Sequence, residues 1–176
     1  MMNKFKVLIR HLWLDAADTR RAIPPNLLQR LAARVAASER RHSGQIRICV
    51  ESSLPASYVW RLSSKNTLAA LIRERAVAMF GKLRVWDTEH NNGVLIYVLL
   101  AEHAIEIVAD RGLTRHVSAA QWKAMLKRMA SAFSEKHYED GLTQALEETS
   151  TVLVEYFPLD PDAGHRNELP DTPLLQ

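Results

Sequence analysis

The sequence has few of the features that mark secreted, membrane-spanning or common catalytic proteins. Its 176 residues contain one cysteine, Cys49, which excludes an internal disulfide and favours a reducing, cytoplasmic location. The longest uninterrupted apolar run covers residues 94–101, far short of the roughly 20 residues that a transmembrane helix needs. Phosphate-binding and dinucleotide-binding glycine loops, the nucleophile elbow, the zinc-protease helix motif and paired cysteines are all missing from the sequence. Most standard enzyme classes therefore lose support.

A strong excess of positive charge is also missing. The formal net charge is +3, and residues 1–21 account for it with five basic and two acidic side chains. A nucleic-acid-binding domain needs a basic stripe on its body, so no nucleic-acid partner is expected. The basic segment 1–22 is amphipathic, and two interpretations of it remain. It docks on its own domain as a helix, or it rests on an anionic membrane or a partner.

Residues 23–157 carry the periodic patterns of one domain. In chain order they predict a helix ending near His42, a strand over 45–51, a helix over 62–80, strands over 94–100 and 105–109, and two further helices. The gap between the last two strands is too short for a crossover helix, so they form a hairpin and the sheet is mixed. We predict an α/β fold, a three-layer α/β/α sandwich with a mixed central sheet, followed by a flexible proline-rich tail over 158–176.

Side chains rich in oxygen are concentrated in two loops of this domain. The first loop carries Asp87, Glu89, Asn91 and Asn92, and the second is Asp110-Arg111-Gly112. The predicted hairpin brings both loops to one end of the sheet, where the two aspartates are expected to approach each other. Carboxylate and amide oxygens suit Ca²⁺ or Mg²⁺, so the predicted metal ligands are Asp87, Asn91, Asn92 and Asp110.

A competing interpretation treats the same residues as ordinary structural groups. Asp and Asn before a glycine are common turn residues, Asn92-Gly93 especially, and Asp110 and Arg111 can form a local ion pair. Glu39 has two interpretations as well, because it either faces a pocket near the first strand or decorates a helix end.

The stretch F-G-K-L-R-V-W-D-T-E-H-N-N-G-V-L-I-Y at 80–97, followed by V-A-D-R-G-L at 108–113, resembles the TPM domain family. The similarity covers roughly residues 24–157, with Glu39 and Ser43-Gly44-Gln45-Ile46 matching a helix glutamate and a first strand that begins T-G-E-I. Gln45 departs from the usual glutamate, which removes a charge at that position. The chain is expected to resemble the short, soluble bacterial members, because the sequence shows neither the signal peptide nor the membrane span of many members.

The resemblance implies an α/β/α fold, divalent metal binding near the acidic loop, the acid phosphatase activity claimed for a chloroplast relative, and roles in repair or regulation of membrane proteins. We expect a cation-binding interaction or regulatory module with an unidentified, membrane-associated protein partner, located in the cytoplasm or at the membrane periphery. The alternative is a metal-dependent acid phosphatase acting on phosphate esters, in which Arg111, Glu39 or Glu89 supports the metal or contacts the phosphate. No catalytic residue is assigned.

Overall fold

The computed structural model describes residues 4–159 and 167–176. Its helices are α1 (Lys4–Trp13), α2 (Ala16–Ala22), α3 (Pro25–Glu39), α4 (Ala56–Trp60), α5 (Leu68–Lys82), α6 (Arg111–Thr114), α7 (Ala119–Ser134) and α8 (Tyr138–Tyr156). Its strands are β1 (Gln45–Glu51), β2 (Gly93–Leu99), β3 (Ala104–Ala109) and β4 (Leu174–Leu175). Each predicted strand is therefore present within one or two residues of its expected bounds.

The sheet is mixed, as the hairpin argument predicts. Its strand order is β3-β2-β1-β4, with β2 and β3 antiparallel and β1 parallel to both of its neighbours. Val94 pairs with Ala109 across the hairpin, and Ile46 pairs with Val94 across the parallel pair. The starts of β1 and β2 and the end of β3 consequently lie at one edge of the sheet, which we call the loop edge.

Two hydrophobic cores lie on opposite faces of the sheet, which confirms the three-layer architecture. One face of β1 and β2 packs against α3, α7 and α8, and the other packs against α1, α4 and α5. All seven residues of β1 and of β2 are buried, as expected of strands covered on both faces. Cys49 belongs to the second core, where burial raises the pKa of its thiol to about 12, so it is a structural residue.

The predicted helix over 62–80 begins later than expected, because residues 61–67 belong to no helix and α5 starts at Leu68. Thr67 explains this start, because its hydroxyl oxygen accepts a hydrogen bond from the backbone N–H of Ala70 at 3.3 Å and so caps α5. The preceding helix α4 follows Pro55 directly, is only five residues long and lies outside the predicted segment. A helix this short has no visible periodicity in the sequence, which is why the pattern did not predict it.

Residues 167–176 differ from the flexible tail that their composition predicts, because they run beside β1. The backbone N–H of Gln176 donates to the carbonyl oxygen of Val50 at 2.9 Å, and the β4 residue Leu174 pairs with Cys49. The Arg47 guanidinium, largely buried, donates to the carbonyl oxygens of Pro170, at 2.6 Å, and Thr172. These bonds compensate for the low apolar content of the segment. Residues 160–166 of the predicted tail lie outside the described residues.

Candidate functional site

The loop edge brings together three chain segments that carry the predicted site residues. These are the C-terminal end of α3, which carries Glu39 shortly before β1, the loop 86–93 that leads into β2, and residues 110–113 after β3. Two backbone hydrogen bonds join the last two segments. The N–H of Asp110 donates to the carbonyl oxygen of Gly93 at 2.9 Å, and the N–H of Gly112 donates to that of Asn91, also at 2.9 Å. The predicted convergence of the two loops is therefore present.

Both glycines of these loops are required by close backbone contact. A Cβ atom on Gly93 would overlap the carbonyl oxygen of Val85, and one on Gly112 would overlap the carbonyl oxygens of Asn91 and His90. Gly93 does not have a positive φ angle. The predicted Asn92-Gly93 turn is thus wrong in detail, because Asn91 is the residue with left-handed backbone geometry, at φ 52°.

Arg111 binds Asn91 instead of forming the expected ion pair with Asp110. Its Nε and Nη2 atoms donate to the Asn91 side-chain oxygen at 2.9 and 2.5 Å. The Asp110 Oδ1 atom accepts a hydrogen bond of 2.6 Å from the backbone N–H of Arg111 and caps the short helix α6. The two loops are therefore joined by side chains as well as by their backbones.

Two side-chain oxygen atoms at this junction are buried and receive no hydrogen bond from any described residue. They are Oδ2 of Asp110 and Oδ1 of Asn92. Asn92 is only 1% exposed, and its amide nitrogen donates to the Ser43 hydroxyl at 3.3 Å. A buried oxygen without a donor loses hydration without compensation, which costs about 1–3 kcal/mol and more for a charged group. A bound cation is one partner that would satisfy a buried oxygen of this kind.

The Asp87 carboxylate and the Glu89 backbone have other partners in the structure. The carboxylate of Asp87 is about half exposed and pairs with the Arg84 guanidinium at 2.9 Å. Glu89 is exposed, and its backbone N–H donates to the Glu168 carboxylate at 3.2 Å. Neither side chain shares a hydrogen-bond partner with Asp110 in the described contacts.

Glu39 lies inside the domain and not at an exposed helix end. It is 2% exposed, and its Oε1 atom accepts a hydrogen bond of 2.8 Å from the backbone N–H of Ile46, at the start of β1. Burial raises the pKa of Glu39 from 4.5 to about 8, opposed by the Ile46 hydrogen bond and increased by nearby Asp171. At neutral pH this carboxyl group is therefore largely protonated.

Several supporting residues of the loop edge were not found by sequence reasoning. Thr88 is buried, and its hydroxyl oxygen accepts a hydrogen bond from the backbone N–H of Asn92 at 3.1 Å. The side-chain oxygen of Gln45 accepts bonds from the backbone N–H groups of Glu168 and Leu169, at 2.8 and 3.0 Å. The departure from the family glutamate at Gln45 was the available signal, but it does not identify the partner, because an amide oxygen and a carboxylate oxygen both accept from backbone N–H groups.

Trp86 does not anchor the loop. It is 48% exposed, with the Arg84 guanidinium 5.9 Å from its ring centre, whereas Val85 beside it is fully buried. The loop is therefore held through Val85.

The donor set limits the chemistry available at the loop edge. Among residues 4–159 and 167–176, no group of three or more His, Cys, Asp and Glu side chains could hold a metal ion. A cation here would depend on one carboxylate with amide and backbone oxygens, a set that suits Ca²⁺ or Mg²⁺ and not a transition metal. No helix in the described part of the chain has the length and apolar character to cross a membrane.

Comparison with known proteins gives the family. A search of curated proteins finds no match. Among solved structures, the chain is similar to the NMR structure of BA42 protein from the psychrophilic bacterium Bizionia argentinensis, with 25% identity, a TM-score of 0.67, and coverage of 83% of this chain and 90% of that one. The family model of the TPM domain matches residues 17–152, well over half of the chain. The protein therefore belongs to the TPM domain family.

Proposed function

We propose that this TPM domain binds a divalent cation, Ca²⁺ or Mg²⁺, at the loop edge and acts as an interaction or regulatory module. The observation that carries the proposal is the pair of buried oxygen atoms, Asp110 Oδ2 and Asn92 Oδ1, that lack donors among the described residues. A cation between the loops would stabilise the junction that the Arg111–Asn91 bonds already form. In this proposal Asp110 and Asn92 are ligands, while Asp87 and Asn91 become ligands only if their arginine partners are displaced.

Replacing Asp110 with asparagine should abolish most cation binding. Asparagine keeps the oxygen that caps α6 but removes the negative charge, so we expect the dissociation constant for Ca²⁺ or Mg²⁺ to rise about tenfold or more. The measurement is an amide NMR titration with each ion, in which the wild-type shifts should cluster at residues 86–93 and 109–113. A wild-type spectrum that does not change at millimolar ion would refute the proposal.

Asp87→Asn is the matched control for this experiment. It removes the same charge from the same end of the sheet, but the Asp87 carboxylate is exposed and bound to Arg84. We expect its dissociation constant to change by no more than about twofold, because solvent screens exposed charges. Equal losses in the two variants would indicate attraction by the general negative charge of the loops and not ligation by Asp110.

Metal-dependent acid phosphatase activity on phosphate esters is the alternative function. It would use Asp87 and Asp110 to hold the cation and Arg111 to neutralise charge on the phosphate. Asp87 already pairs with Arg84, and Arg111 already donates to Asn91. Because these two side chains are occupied, a binding role is favoured over catalysis. The Glu39 carboxyl group also has another partner, because it accepts from the backbone N–H of Ile46.

The phosphatase alternative predicts activity that depends on both aspartates. With p-nitrophenyl phosphate and either ion, we expect the wild type to hydrolyse no more substrate than the Asp87→Asn, Asp110→Asn double variant. Hydrolysis by the wild type that the double variant loses would establish the alternative and contradict a purely binding role. The proposal also places the protein in the cytoplasm, where it would act on a membrane-associated protein partner. A regulatory module needs such a partner to act on.

A further inference from the structure

The N-terminal helix α1 has a buried face and an exposed face, and large apolar side chains lie on the exposed one. Val7 is 1% exposed and His11 5% exposed, and both point into the fold. On the other side of the same helix lie four large side chains that remain exposed. They are Phe5 at 65%, Ile9 at 40%, Leu12 at 67% and Trp13 at 82% exposed, and we call them the outer strip.

The spacing of the outer strip makes it a continuous surface. Positions 5, 9, 12 and 13 are separated by four, three and one residues, so they lie within a sector of about 100° on an α-helix. Large exposed apolar groups occur singly on most protein surfaces, whereas a contiguous group marks a binding surface. The outer strip is therefore too concentrated to be ordinary surface.

The orientation of α1 is fixed by buried polar contacts. The Nδ1 atom of His11 accepts a hydrogen bond of 3.0 Å from the backbone N–H of Leu54, so Nε2 carries the proton and donates to the Glu102 carboxylate, also at 3.0 Å. Arg10 pairs with the same carboxylate at 2.8 Å, and the Lys4 ammonium donates to the Trp60 carbonyl oxygen at 2.7 Å. The helix cannot roll to bury the outer strip without breaking these bonds.

Charge beside the outer strip identifies the occupant. Lys6 lies along its border, next to Ile9 and Trp13 in the helical projection, and Arg10 lies one turn further along, where it pairs with Glu102. Residues 1–21 hold five of the 23 basic and two of the 20 acidic side chains, which leaves the rest of the chain with equal numbers of each sign. A convex apolar strip with basic neighbours and a terminal tryptophan matches the headgroup region of an anionic lipid bilayer.

We propose that the outer strip of α1 docks the domain on the surface of an anionic bilayer. The helix lies flat, with Leu12 and Trp13 in the interfacial region and Lys6 among the lipid phosphates. This interaction goes beyond the proposed cation site and does not depend on it, because the two surfaces share no residue.

Sedimentation of the whole protein with lipid vesicles tests the proposal. We expect binding to phosphatidylcholine vesicles that contain phosphatidylglycerol to be about tenfold or more stronger than binding to phosphatidylcholine alone. The Leu12→Gln, Trp13→Gln double variant should lose about tenfold or more of that binding. The matched control is Val77→Gln, Val154→Gln, which changes two exposed apolar residues on α5 and α8 and should bind as the wild type does.

A second measurement locates the contact at a single side chain. Brominated lipid should quench part of the tryptophan fluorescence of the wild type, and Trp13→Phe should remove that quenching while keeping the vesicle binding. Equal vesicle binding by the wild type and the Leu12→Gln, Trp13→Gln variant would overturn the proposal. A wild-type protein that does not bind vesicles would also overturn the proposal. If the wild type then associates with itself or binds a protein partner, and the Leu12→Gln, Trp13→Gln variant loses that association, the outer strip is a protein interface.

Discussion

Replacing Gly93 with alanine is expected to destabilise the domain by at least about 3 kcal/mol, the upper range for forcing an extra carbon into a packed core. A Cβ atom at this position would overlap the backbone carbonyl oxygen of Val85, and the Cγ1 atom of Val85 is also in close contact, at 3.1 Å. Backbone atoms cannot move aside as a flexible side chain can. Val85 is fully buried and anchors the loop before β2, so the strain reaches both the core and the loop edge.

Gly81→Ala is the matched control for that substitution. Gly81 lies in α5 and is exposed, and outside its own helix and neighbours no described atom lies within 4 Å of the place that a Cβ atom would take. Alanine should therefore stabilise the helix by roughly 0.5–1 kcal/mol. Urea unfolding of both variants measures the difference. A Gly93→Ala protein with the unfolding midpoint of the wild type would mean that the loop can shift away from β2 at little cost.

The hairpin and its two converging loops could be predicted from the sequence because they depend on local patterns. The apolar run 94–100, the alternation over 105–109 and the short gap between them leave antiparallel pairing as the only geometry. The same reasoning placed Asp110, Asn91 and Asn92 at one end of the sheet, where the structure also has them. Backbone topology was accessible because each step needed only a few neighbouring residues.

Side-chain partners and the last strand were not accessible in the same way. Loop residues choose among several partners of similar energy, so the sequence could not indicate that Asp87 pairs with Arg84 or that Arg111 binds Asn91. The strand β4 has two residues and therefore no periodicity, and its hydrogen bonds to β1 are formed by backbone groups that every sequence possesses. The C-terminal segment has few apolar residues, which is why its composition predicted a flexible tail. Its contacts with Arg47 and Gln45 compensate for the small apolar area.

The pH dependence of stability should change when Glu39 is replaced with glutamine. The folded protein raises the pKa of Glu39 from 4.5 to about 8, chiefly through burial, so between these values the folded state keeps a proton that the unfolded state has released. The stabilising contribution of the protonated group is complete below pH 4.5 and is lost as the pH rises through 8. Glutamine has the shape of the protonated acid and keeps the oxygen that accepts from Ile46.

The difference in unfolding free energy between Glu39→Gln and the wild type should therefore move in favour of the variant by as much as about 5 kcal/mol from pH 4 to pH 9. Glu147→Gln is the control, since Glu147 is exposed on α8 and its replacement should leave the pH profile parallel to that of the wild type. Urea unfolding at a series of pH values gives all three profiles, and titration of other groups cancels in the differences. Parallel profiles for Glu39→Gln and the wild type would mean that folding does not raise the pKa of Glu39, so that its carboxyl group is ionised at neutral pH in the folded state. A carboxylate buried beside the start of β1 would require a positive partner at the loop edge. The same profiles recorded with Ca²⁺ or Mg²⁺ would show whether a bound cation is that partner, because cation binding would then lower the pKa of Glu39 in the folded state.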